Sequence, residues 1–138
     1  MITKQNMDEI LLNKETTIER CIKRIHQDYD DDFLTNFTKQ DAVILNIERA
    51  CQAAIDIGNR VIKLKKLGLP QSNRDTFYKL EKAEIITNEL SKKMQAMAGF
   101  RNIAIHDYSS VNVDVIVNII ENRLTDLHEF TQIINKVI

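Results

Sequence analysis

Residues 38–67 read TKQDAVILNIERACQAAIDIGNRVIKLKKL and run straight into Gly68-Leu69-Pro70. Ile44, Ile47, Cys51, Ala54, Gly58, Val61 and Ile62 recur at intervals of three and four, which makes one stripe of an α-helix. Val43, Ala50, Ile57 and Leu64 add a second stripe beside it. An apolar face this wide has to be covered on more than one side. The segment therefore reads as a long helix of an all-α bundle, buried on more than one side. Thr38 is placed to cap it, and Asp41 follows three residues later as a variant of the capping box. Glycine followed by proline stops it.

The flanks repeat the pattern. Upstream, Ile10, Leu11, Lys14, Ile18, Cys21, Ile22 and Ile25 predict a helix from Met7 to Gln27. The run Asp28-Tyr29-Asp30-Asp31-Asp32 belongs outside it, because carboxylates oppose the dipole at a helix C-terminus. Phe33, Leu34 and Phe37 are expected to pin the connection to the core. Downstream, Ser72 and Asp75 open a short helix carrying Phe77 and Leu80. Thr87 caps a long one carrying Leu90, Met94, Met97 and Ala98. Asn112, with Asp114 behind it, opens a last long helix whose stripe includes Val113, Ile116, Ile120, Leu124, Leu127 and Ile134. The expected architecture is an up-down bundle of four long helices and one short one, in a single domain over residues 1–138.

Composition agrees and excludes several functions. The chain has 138 residues, of which 43% are hydrophobic and 28% charged, with one proline and three glycines. That is too little turn chemistry for an all-β fold. A net charge of −1 argues against a surface that coats nucleic acid, although Arg60, Lys63, Lys65 and Lys66 form a local basic patch. The patch suits the dipole at a helix end and would also suit phosphates. Cys21 and Cys51 have neither zinc-site spacing nor a disulfide framework, which points to reduced thiols in the cytoplasm. Lys4, Asp8 and Glu9 make the N-terminus unlike a leader peptide, and no apolar run reaches the ~20 residues of a membrane span.

No metal or cofactor is expected. Counting from Asp28, an EF-hand would need glycine sixth and glutamate twelfth, where the chain has Phe33 and Lys39. A di-iron bundle would need a carboxylate three residues before a histidine. His26, His106 and His128 are preceded there by Lys23, Ile103 and Thr125. His26 and His128 read as helix-surface or boundary residues. Phosphate-loop and nucleophile-elbow motifs do not occur.

The polar stretch Arg101-Asn102-Ile103-Ala104-Ile105-His106-Asp107-Tyr108 stands at the junction of two long helices. Packing alone would make it a helix end, with Arg101 and His106 on the last carbonyls. Chemically it combines a fixed cation whose planar fork fits phosphate with a proton carrier near neutral pH. RNA cleavage without a metal needs a base for the 2′-hydroxyl, an acid for the leaving 5′-oxygen and a cation for the phosphorane. Residues five apart in an unbroken helix differ by about 140° in direction. Arg101 and His106 can therefore converge only if the helix ends near Ile105 and His106 turns back, or if a second copy supplies one of them. Ile103, Ala104 and Ile105 are expected to anchor the segment in apolar surroundings.

The pattern Arg101-Asn102-x3-His106-x-Tyr108 resembles the Arg-x4-His-x-Tyr motif of HEPN-domain ribonucleases, and most closely the HepT toxins of bacterial and archaeal toxin–antitoxin pairs. The resemblance extends through Ile18-Glu19-Arg20-Cys21-Ile22, Gln40-Asp41, Ala53-Ala54-Ile55-Asp56, Leu69-Pro70-Gln71-Ser72 and Thr76-Phe77. It implies a helical homodimer with a composite cleft, RNA as substrate, and Arg101 and His106 as the catalytic pair. It further implies that Asn102 positions the arginine or the substrate. Asp107 either orients His106 or ends the helix. The implied partner is an MntA-like minimal nucleotidyltransferase antitoxin, which transfers AMP to the motif tyrosine, here Tyr108. Phosphate placed beside Arg101 and His106 would then bar RNA. Two other expectations compete: a non-catalytic HEPN partner that binds substrate or nucleotide for a nucleotidyltransferase, and a purely structural dimerisation bundle.

Overall fold

The computed structural model describes residues 8–138, so the expected first turn at Met7 and the residue Lys4 lie outside the described residues. Six helices follow one another: α1 (Glu9–Asp28), α2 (Phe37–Lys65), α3 (Asn73–Lys82), α4 (Asn88–His106), α5 (Val113–Asn122) and α6 (Leu124–Val137). Single 3₁₀ turns at Phe33–Thr35 and Tyr108–Ser110 join α1 to α2 and α4 to α5. α2 is the central element and packs against α1, α3, α4 and α6. Ile47, Ala50, Ala54, Ile57 and Val61 are fully shut from solvent. One cluster of buried side chains draws on all six helices. The all-α bundle is as expected.

Side-chain caps set most of the boundaries. Ser72, Thr87 and Asn112 accept from the backbone N–H of Asp75, Leu90 and Asp114, as the sequence indicates. Asp75 also reaches back to the N–H of Gln71 at 2.8 Å, which satisfies another free donor. α2, however, is capped by Asn36, which accepts from the Lys39 N–H, and not by Thr38. It ends on Lys66 in the left-handed region, φ 57°, where the N–H reaches Ile62 and Lys63. α1 is capped by Asp8, whose other carboxylate oxygen takes two hydrogen bonds from Arg60, at 2.9 and 2.6 Å. Part of the basic patch at the end of α2 is therefore used to anchor the start of α1.

The remaining differences have local causes. Asp28 closes α1, and only the rest of the acidic run lies outside it. There Lys39 places its ammonium between Asp30 and Asp32, at 2.7 and 2.5 Å, so a lysine stands where a cation-binding loop would put its ion. Lys39 holds the Asp32 carboxyl down at about 2. Phe33 pins the connection, but Leu34 and Phe37 are 66% and 76% exposed. The expected last long helix is interrupted at Arg123, φ −120°, and is read as α5 and α6. At Gly58 the third helix comes so close that an added Cβ would lie 2.6 Å from the Thr76 methyl. Next to this contact, Phe77 of α3 meets Phe130 of α6 edge to face at 5.5 Å. Both cysteines are free and buried, and burial pushes Cys51 up to about 12. No helix among the described residues is long and apolar enough to cross a membrane.

Candidate functional site

Helix α4 runs without interruption through His106, and the Asp107 N–H closes its last turn on the Ile103 carbonyl at 2.8 Å. His106 is thus the last residue of α4 and does not itself turn back out of the helix. Arg101 follows Met94, Met97 and Ala98 along the buried stripe of α4 and precedes the buried Ala104. It thus carries a guanidinium at a position where the helix otherwise places apolar groups. Its Nε is closed off from solvent and has no hydrogen-bond partner. No carboxylate pairs with it among the described residues. Its charge reaches as far as Cys51 on α2. A buried donor without an acceptor is costly, and an anion would relieve it.

The other motif residues take separate directions. His106 is exposed at the end of the helix. Asn102 is exposed too and lines a cleft of about 810 Å³ with Arg74, Phe100, Ile103 and Val115. Asp107 accepts from the hydroxyls of Ser109 and Ser110 in the turn that follows, at 3.2 and 2.5 Å, and has no hydrogen bond to His106 among the described residues. Tyr108 crosses to α2, where its hydroxyl donates to the Asp41 carboxylate. That carboxylate pushes the phenol up to about 12. Of the apolar residues expected to anchor the motif, Ala104 does so, while Ile103 and Ile105 are 47% and 39% exposed. The chain therefore brings Tyr108 to Asp41, and no hydrogen bond joins Arg101 to His106 among the described residues.

Two features carry no local sequence signal. Asp41, three residues after Thr38, accepts the Tyr108 hydroxyl instead of serving a helix cap. The second is a groove of about 220 Å³ between α1 and α2, bordered by Arg20, Arg24 and Arg49. None of these three arginines has a carboxylate within pairing distance among the described residues, whereas Lys14 nearby is held by Asp56 at 3.0 Å. The spacing of Arg20 and Arg24 places them on one helical face, but Arg49 joins them only through packing. His26 and His128 are exposed, as expected, and share a shallow depression between α1 and α6. No group of three metal-ligating side chains occurs among the described residues.

Known proteins match along nearly the whole chain. The family model described as Ribonuclease HepT-like matches residues 15–134. An mRNA nuclease HepT from Shewanella oneidensis is 46% identical over 130 residues, covering 93% of this chain and 98% of that protein. A tRNA nuclease HepT from Aphanizomenon flos-aquae is 30% identical over 105 residues, covering 76% of this chain and 71% of that protein. Among solved structures, the tri-AMPylated Shewanella oneidensis HEPN toxin in complex with MNT antitoxin superposes with a TM-score of 0.90 at 45% identity, covering 94% of this chain and 99% of that one. A toxin–antitoxin crystal structure with AMP-PNP also gives a TM-score of 0.90, at 44% identity and the same coverage. The sequence motif, the helical order and these matches agree: the chain belongs to the Ribonuclease HepT-like family.

Proposed function

We propose that residues 1–138 act as one helical domain, the toxin of a toxin–antitoxin pair, and that this toxin is a metal-independent endoribonuclease working as a homodimer in the cytoplasm. The observation that carries the reading is Arg101, a guanidinium on the buried face of α4 with an unpartnered Nε, in a chain 46% identical to an mRNA nuclease. The anion it receives is the scissile phosphate. Two α4 ends meet at the dimer axis, so that one phosphate is bounded by two arginines and two histidines. One His106 takes the proton of the 2′-hydroxyl as the 2′-oxygen bonds to phosphorus. The bond to the 5′-oxygen breaks, and the other His106 protonates that oxygen. The guanidinium forks balance the charge that builds on the phosphorane. The products are a 2′,3′-cyclic phosphate and a 5′-hydroxyl. Asn102 positions the chain of RNA from the adjoining cleft. Asp107 sets where α4 stops, which fixes the place of His106.

A nucleotidyltransferase antitoxin of the MNT type neutralises the toxin by adding AMP to Tyr108. Tyr108 lies two residues from His106, so the added phosphate and adenosine occupy the approach to the same arginine and histidine. The deciding experiment is cleavage of RNA by the purified protein in EDTA, with His106→Ala as the comparison. The variant is expected to keep its helical circular dichroism and lose at least ~100-fold in rate. Undiminished cutting by that variant would overturn the mechanism.

A further inference from the structure

We propose that Asp41 is the proton acceptor for the transfer of AMP to Tyr108. This rests on the reading of Tyr108 as the modified residue. The phenolic oxygen of Tyr108 forms its bond to the α-phosphorus of a nucleoside triphosphate. The bond between the α-phosphorus and the bridging oxygen breaks, pyrophosphate leaves with the electron pair, and the phenolic proton passes to the carboxylate of Asp41.

Asp41 does not cap its own helix. The cap of α2 is supplied by Asn36, and Gln40 is turned back to the Phe33 carbonyl at 2.9 Å. Lys39, the nearest cation in sequence, is held by Asp30 and Asp32. Asp41 has no ion pair among the described residues. Its carboxylate takes the Tyr108 hydroxyl from a residue 67 positions away. Both groups are exposed, so their hydrogen bond adds little to stability and leaves them open to a second protein. A phenol held up at about 12 has almost no phenolate at neutral pH, so a nucleophile made from it needs a base in the transition state. The group that raises the phenol is the same one placed to take its proton. Ester formation then removes the donor and leaves a phosphate facing a carboxylate.

The test follows AMP addition by intact-protein mass spectrometry, using the cognate nucleotidyltransferase with Mg²⁺ and ATP, and compares the full-length chain with Asp41→Asn, Asp41→Glu and Tyr108→Phe. Asp41→Asn is expected to lower kcat by at least ~100-fold with KM for the toxin within about twofold, and Asp41→Glu to recover part of the rate. Cleavage of RNA by unmodified Asp41→Asn is expected to match the unsubstituted protein, which also certifies its fold. A rise in KM alone would make Asp41 a docking contact and overturn the assignment, as would equal rates for Asp41→Asn and the unsubstituted chain. No AMP on the unsubstituted chain, or full labelling of Tyr108→Phe, would instead overturn the reading of Tyr108 and the inference with it.

Discussion

Arg101 and His106 stand five residues apart on one unbroken helix and therefore project about 140° apart around its axis. They do not share one face of that helix, and the proposed site draws them from two copies. If both histidines of a dimer serve one phosphate, mixing in His106→Ala protein poisons the mixture. After subunit exchange at equal amounts and constant total protein, only about a quarter of dimers keep both histidines, so RNA cleavage should fall to about a quarter of that of the unsubstituted protein. A fall to about one half would mean that each histidine works alone. Arg101→Lys should cost about 100-fold despite keeping the charge, since an ammonium cannot offer the planar fork.

Asp8 joins two jobs, capping α1 and gripping Arg60 at the end of α2. Arg60 holds its carboxyl below the ordinary range. A depressed carboxyl contributes stability that is present above its unfolded value and lost as the pH falls through its folded value. Asp8→Asn, which can still cap, should therefore be less stable near neutrality and equal to the unsubstituted protein in acid. Asp8→Ala loses the cap as well and should cost about 1–2 kcal/mol in urea titrations at pH 7.

Asp126 presents the opposite sign. It is buried in α6 with Oδ2 lacking any hydrogen bond, and its cations, Lys93 and Arg123, stand off at 3.8 and 3.9 Å. Burial raises its carboxyl. The folded state holds that proton more tightly than the unfolded state, so stability is lost as the pH rises through this range. Asp126→Asn should raise stability by about 1 kcal/mol at pH 7, with the gain vanishing below the ordinary carboxylate range. Equal melting temperatures at both pH values would refute this.

Gly58→Ala should destabilise by about 1–3 kcal/mol even though alanine is the better helix former. The new methyl meets the Thr76 side chain, which cannot swing away because its hydroxyl is tied to Asn59 at 2.8 Å. Combining it with Thr76→Ser, which removes the opposing methyl, should return most of the loss.

What could be read directly from the sequence divides along physical lines. Ser72, Thr87 and Asn112 were legible as caps because capping involves a side chain and a backbone N–H within three residues. Thr38 satisfied that pattern too, but the 3₁₀ turn at Phe33–Thr35 ends on Asn36, which takes the cap instead. Periodicity carried the apolar stripe straight through Arg123, since a single irregular residue barely shifts it. The motif residues were visible as chemistry, and their separation followed from helix geometry. Tyr108 against Asp41, and Arg49 beside Arg20 and Arg24, depend on which helices become neighbours, and no local pattern encodes that.

The edge-to-face contact of Phe77 and Phe130 joins the third helix to the last one, and Ile134 beyond it is wholly buried. On the ribosome, the polar motif is synthesised some thirty residues before the core that supports it can close. A chain that stops between Tyr108 and Phe130 carries the motif without the side chains that close its core. Premature stop codons upstream of Ile134 should disarm the gene as surely as lesions in the motif itself, and survivors of a toxicity screen should collect such late truncations.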